Sequence, residues 1–176
     1  TNRSPVMAVG DINPVYSSAT TGTGGVTGLT SSSDWTAGYA YAAINVGGMT
    51  PIPFDVRHSG KVRVGTSPTS GTQIQIYLVP SENGTNWPDV FTGSAGAFTN
   101  TSAGVRDGAC KLAAILNVDS TTTGRDYYYD FSAAQLFGGT LPQQYQVFVS
   151  HNTGVALDGT AGNHTWQYVP QYNHVS

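Results

Sequence analysis

The chain has 176 residues, a formal net charge of −3, 22 glycines, one cysteine and only 10% charged residues. Its seven basic residues, two of them lysine, are too few for a phosphate-binding surface, which argues against nucleic acid as a partner. No apolar run reaches the roughly 18–20 residues of a membrane span, and one cysteine allows no intrachain disulfide. Ordinary soluble domains carry about 25% charged residues, so much of this surface is expected to be covered by neighbours. A secreted β-domain with a neutral polar surface is the alternative.

Residues 1–36 are built largely of Thr, Ser and Gly with scattered apolar residues. Ordering about 30 residues costs on the order of 30–60 kcal/mol, and offsetting that by apolar burial alone needs more than about 1,000 Å². The segment is therefore expected to be an extended arm lying on its own domain, a symmetry mate or another protein. Thr1 is small enough for an initiator Met to have been removed, so the chain is expected to be a whole translation product made in a reducing cytosol.

From Gly38 onward the pattern is β. GYAYAAINV (38–46) alternates Tyr39, Tyr41 and Ala43 on one face, and DVRHSGKVRVG (55–65) places Val62 and Val64 opposite Lys61 and Arg63. TQIQIYLV (72–79) points Ile74, Ile76 and Leu78 inward and Gln73, Gln75 and Tyr77 outward, and Pro80 ends it. KLAAILNV (111–118) fits a short helix or a buried strand, and its length and neighbours favour the strand. DYYYDF (126–131), YQVFVS (145–150) and TWQYV (165–169) follow, with 172–175 able to extend the last past Pro170. SAAQLF before Gly138-Gly139 reads as one helical turn with a glycine cap. About eight strands and no long helix predict an all-β chain: a single β-sandwich over 37–176, expected to be a jelly roll. An immunoglobulin-like sandwich is the runner-up, without its Cys–Trp–Cys pattern.

Sequence signals for chemistry are sparse. Arg57, His58, Lys61 and Arg63 form the densest basic group, read as a solvated strand face or a salt-bridge patch. Cys110 fits a buried apolar position. Glu82 is the single glutamate, and SENGTNWPD (81–89) is either a sugar-binding loop with Trp87 as platform or a turn whose Trp plugs the sandwich end. His151, His164 and Asp158 could meet around zinc, but without a close His pair these rings are expected to hydrogen-bond loop backbone instead; His58 and His174 stand apart. Asn83, Asn100 and Asn163 open glycosylation triplets that mean little without a secretory route. No GxSxG, P-loop or GxGxxG is present, so neither catalysis nor a cofactor is expected.

What remains is interface chemistry. Three consecutive tyrosines, 127–129, cannot all face a core from one strand. The candidate interface residues are Met7, Ile12, Val15, Tyr16, Leu29 and Trp35 of the arm, with Tyr127 and Tyr129 of the body.

The runs KVRVGTSPTSGTQIQIYLV (61–79) and FSAAQLFGGTLPQQYQVFVSHNTGVALDGTAGNHTWQYVPQY (131–172) resemble small virion structural proteins of tailed bacteriophages, in the LFGG-LP turn, the HNTGV-L loop and the closing aromatic strand. The resemblance implies a jelly-roll decoration, or cement, protein on the outside of an icosahedral capsid. It implies the major capsid protein as partner, assembly as a homo-oligomer (dimer or trimer), and a virion location after synthesis in the host cytoplasm. A tail, collar or fibre component of the same particle and a carbohydrate-binding module are the alternatives. The arm lies outside the matched runs.

Overall fold

A computed structural model of the chain describes residues 12–175. In chain order its strands are β1 (Ile12–Tyr16), β2 (Thr20–Thr23), β3 (Ala37–Ala40), β4 (Ile44–Asn45), β5 (Asp55–Arg63), β6 (Thr72–Pro80), β7 (Gly96–Thr99), β8 (Lys111–Val118), β9 (Asp126–Ser132), β10 (Gln144–His151) and β11 (Thr165–Val175). Two short helices, α1 (Ala103–Ala109) and α2 (Ala133–Leu136), interrupt them. The strands form two antiparallel sheets packed face to face, the β-sandwich expected from the alternation. One sheet runs β1–β11–β5–β9, with β2 also on β11; the other runs β7–β3–β10–β6–β8, with β4 on β10.

The core between the sheets follows the period of two. Val56 and Val62 from β5, Ile74, Ile76 and Leu78 from β6, and Tyr145, Val147 and Val149 from β10 meet there. Ser132 caps α2 by accepting from the Gln135 amide (3.3 Å), and Gly138 and Gly139 close it with φ of 74° and 95°, a region glycine enters freely. The strand over 165–175 runs unbroken through Pro170. This is possible because Pro170 falls where the β2 pairing (165–168) has ended and the β1 pairing (171–175) begins. Its carbonyl still accepts from the Ser17 amide (3.0 Å).

One expectation changes: Gln75 and Tyr77 do not face solvent. Both are buried, because the long segment 81–110 folds back over the outer face of the second sheet and adds a further layer. Ala40, Tyr77, Val79, Phe91, Cys110 and Phe148 form a second core there, with Trp87, Val90 and Phe98 packed against it. Arg106 of α1 ties this layer down: its guanidinium lies 5.4 Å over the Tyr77 ring and donates to the Asp34 carbonyl. β6 and β10 are consequently buried on both faces.

The described part of the arm, residues 12–36, lies on its own sandwich, one of the three supports expected for it. β1 and β2 lie along β11, Val26 is fully buried in the core, and the Ser32 amide donates to the His151 carbonyl (2.7 Å). Ladder hydrogen bonds to β11 order residues 12–23, and burial of Val26 with Leu29 against the core anchors the stretch that follows. Met7 lies outside the described residues.

Candidate assembly surfaces

The apolar side chains of β1 find no cover within the described residues. Ile12 is 65% exposed and Tyr16 64%, and Val15 is exposed as well. Alternation places Ile12 and Tyr16 on one face of β1 and Val15, opposite Tyr172, on the other; the loop before β5 adds Ile52, 67% exposed, and the exposed Phe54. The Phe54 amide donates to the Gln171 carbonyl (2.9 Å), and the Tyr172 hydroxyl contacts Met49 Sδ at 4.0 Å, so this loop and the end of β11 form one corner. β1 is the outermost strand of its sheet and carries Pro14 at its centre, where the absent N–H blunts strand addition. Contact at this corner is therefore made by side chains. Ile52 and Phe54 were missed in the sequence because each sits beside a proline in a stretch without period.

The other expected interface residues divide. Leu29 is half-buried against the core, and its carbonyl accepts from His151 Nε2 (2.9 Å) and from the Leu157 amide (2.9 Å). Trp35 is half-buried with φ of 56°, and its buried Nε1 has no hydrogen-bond partner among the described residues. Tyr127 is half-buried and donates to Asp119 (3.0 Å). Tyr129 is no interface residue in this fold: it is 8% exposed and its ring lies 5.9 Å from Phe131 in the core. The outward ring is Tyr128, 70% exposed. Alternation along β9 sends residues 127 and 129 to one face and 128 to the other.

Tyr128 stands at one side of an open trough of about 900 Å³ across the outer face of the first sheet. Short side chains in the middle of neighbouring strands (Thr21, Thr23, Ser59, Thr165) leave this hollow. Beside it the expected basic patch is a set of cross-strand ion pairs. Arg57 reaches Asp130 (2.8 Å), while Lys61 (3.1 Å) and Arg63 (2.7 Å) share Asp126. Hydrogen bonding from Arg63, with further help from Lys61, holds the Asp126 carboxyl down at about 2. Exposed pairs of this kind add little stability.

His58 belongs to the opposite face. It is buried among rings, with Nε2 2.8 Å from the Tyr145 hydroxyl, and burial pushes its pKa down to about 3 against a small opposing effect of Asp55. His151 is buried with Nδ1 2.9 Å from Thr153 Oγ1 and Nε2 on the Leu29 carbonyl, and burial lowers its pKa to about 4. His164 accepts from the Arg63 amide at Nδ1 (3.3 Å) and donates from Nε2 to the Asp158 carbonyl (2.9 Å). Two of the rings thus serve loop backbone, as expected. The Asp158 carboxylate is occupied by the Thr160 amide (2.8 Å) and Asn163 (2.9 Å). No group of three or more His, Cys, Asp or Glu able to hold a metal ion occurs among the described residues.

Cys110 is buried, and desolvation raises its thiol to about 12, which suppresses the thiolate needed for reactivity. In the loop proposed for sugar binding, Asn83 Oδ1 closes a turn by accepting from the Thr85 (3.1 Å) and Asn86 (2.9 Å) amides. Trp87 is half-buried against the second core, with Gly93 beneath its indole. It packs as part of the extra layer rather than standing out as a platform. No protein-family model, curated protein or solved structure matches this chain.

Proposed function

We propose that this chain is a non-enzymatic virion structural protein, a decoration or cement protein that binds the outer surface of an icosahedral phage capsid and bridges neighbouring subunits. The observation that carries the reading is the set of exposed apolar side chains, Ile12, Val15, Tyr16, Ile52 and Phe54, presented at the corner where β1 and the loop before β5 flank the end of β11. Apolar residues clustered at one place on a surface mark an interaction site, and burying this corner in a capsid joint adds cohesion without chemistry. The strand order β2–β11–β5–β9 over β3–β10–β6–β8 supports the jelly-roll form of the sandwich. The buried histidines support the non-catalytic part of the reading: their hydroxyl neighbours, Tyr145 and Thr153, are buried with them and out of a substrate's reach. Copies placed around a local two-fold or three-fold axis would also contact one another, which makes a dimer or trimer the expected bound form.

Adding purified protein to undecorated capsids tests the proposal. The wild type is expected to saturate the particle, whereas an Ile12→Ser/Tyr16→Ser/Ile52→Ser variant loses at least about tenfold in apparent affinity, the effect of about 1.4 kcal/mol. Tyr128→Ser, altered on the same sheet face but three strands away on β9, is expected to bind as the wild type does. The reverse pattern, with Tyr128→Ser defective and the corner variant normal, would move the contact to the trough and favour the carbohydrate-binding reading, for which an exposed aromatic ring beside hydroxyl-bearing walls is the supporting observation.

A further inference from the structure

Between the sheets, near the edge formed by β2, the core is not filled. A chamber of about 120 Å³ is walled by Tyr41, His58, Tyr129, Trp166, Tyr168 and Val147. Its mouth lies between Thr20 of β2 and Ala42–Ala43, both Thr20 and Ala42 being exposed. The gap has a local cause. β3 ends at Ala40 and β4 begins at Ile44, and between them the Ala43 amide is drawn away to the Gly93 carbonyl (2.9 Å).

The opposite wall is held back by two glycines. A Cβ on Gly22 would stand 2.5 Å from the Trp166 ring, and one on Gly60 would stand 2.6 Å from Tyr129 Oη. Both aromatic side chains therefore rest directly on backbone, close to their own sheet, and leave the centre of the chamber free.

Protein interiors keep few voids larger than a water molecule, and an apolar cavity of about 150 Å³ in another protein takes up benzene. This chamber is comparable in size, and aromatic or small apolar side chains make most of its wall. It is not wholly apolar. Tyr129 brings a hydroxyl that is not hydrogen-bonded to another described residue and that keeps some access to solvent. No charged side chain lines the space, so an ionic ligand would lose its water without gaining a counter-ion.

The geometry points to a binding site for a small neutral molecule of the phenol class, with a single-ring apolar body among these aromatic side chains and a hydroxyl bonded to Tyr129. This site is independent of the apolar corner and of any capsid.

Titration of the folded protein with phenol and, separately, with benzene tests it, read by ligand-observed NMR and by thermal unfolding. Phenol is expected to bind saturably and raise the Tm, as any ligand specific to the folded state does. Tyr129→Phe keeps the ring and removes the hydroxyl; it should weaken phenol up to about tenfold, the range of one net hydrogen bond, and leave benzene unchanged. Ala43→Leu, which narrows the mouth, should abolish both while folding normally. Failure of phenol to bind the wild type saturably would overturn the site, as would phenol binding unaffected by Ala43→Leu. A Tyr129→Phe variant that binds phenol as tightly as the wild type would overturn the hydroxyl's role.

Discussion

Acidification from pH 6.5 to pH 4 is expected to remove about 5–6 kcal/mol of folding stability, as two buried histidines that are neutral in the fold become charged in the unfolded chain. His58 and His151 have pKa values lowered by burial to about 3 and about 4, against 6.5 for an unperturbed imidazole. For a base whose folded pKa is depressed, the unfolded chain takes up the proton first. The stability is thus fully present above pH 6.5 and is lost as pH falls toward the folded values. Asp126, held at about 2, acts in a lower window, since its contribution is lost only as pH drops below the ordinary carboxylate value of 3.8. A loss of about 5–6 kcal/mol is a large part of the roughly 5–15 kcal/mol typical of a domain. Denaturant unfolding at successive pH values should give a slope approaching about 2.7 kcal/mol per pH unit between about pH 6 and 4.5, the signature of two protons. His58→Phe should lower stability at pH 7, because it strands the Tyr145 hydroxyl, and yet halve that slope. A flat profile across this window would contradict the buried, neutral state of both rings.

Phe148→Ala is expected to cost about 3–5 kcal/mol, the range for emptying a fully buried aromatic site. Phe148 sits on the outer face of β10 under the layer made by 81–110. Its ring meets Phe91 edge-on at 5.3 Å and lies 6.1 Å from Tyr77. Gly38 of β3 is packed so closely against it that an added Cβ would stand 2.6 Å from the ring, so the neighbouring strand cannot supply atoms to fill the gap. Urea unfolding should show the loss in the midpoint. Limited proteolysis should cut within 81–95 earlier than in the wild type, because Trp87, Val90 and Phe91 of that stretch pack on this cluster. A cost below about 1 kcal/mol would mean that the extra layer is not a second core.

The sandwich itself was legible in the sequence, since 72–79 alternates apolar and polar residues and 145–150 is rich in aromatic and β-branched ones, although the fold buries both strands on both faces. The extra layer was not. Trp87, Val90, Phe91 and Phe98 are spaced without period among Gly, Ser and Thr, so nothing local marks them as the cover for Tyr77 and Phe148. What orders the arm was hidden for a related reason. Composition reports on apolar burial, whereas residues 12–23 are held by ladder bonds to β11, which composition does not record. In the tyrosine run the period of two separates Tyr128 from Tyr127 and Tyr129, but only the neighbouring strands decide which side is inside. Among the candidate interface residues, Ile12, Val15 and Tyr16 could be named from the arm's sequence, whereas the exposure of Ile52 and Phe54 shows only in the fold.

Electron cryomicroscopy of particles carrying this protein tests the assignment to the capsid most directly. Density for the sandwich is expected on the outer shell, at joints between neighbouring capsid subunits, with Ile12, Tyr16 and Ile52 turned into the contact. Density confined to the tail or collar, or a shell-bound sandwich whose corner faces solvent, would contradict it.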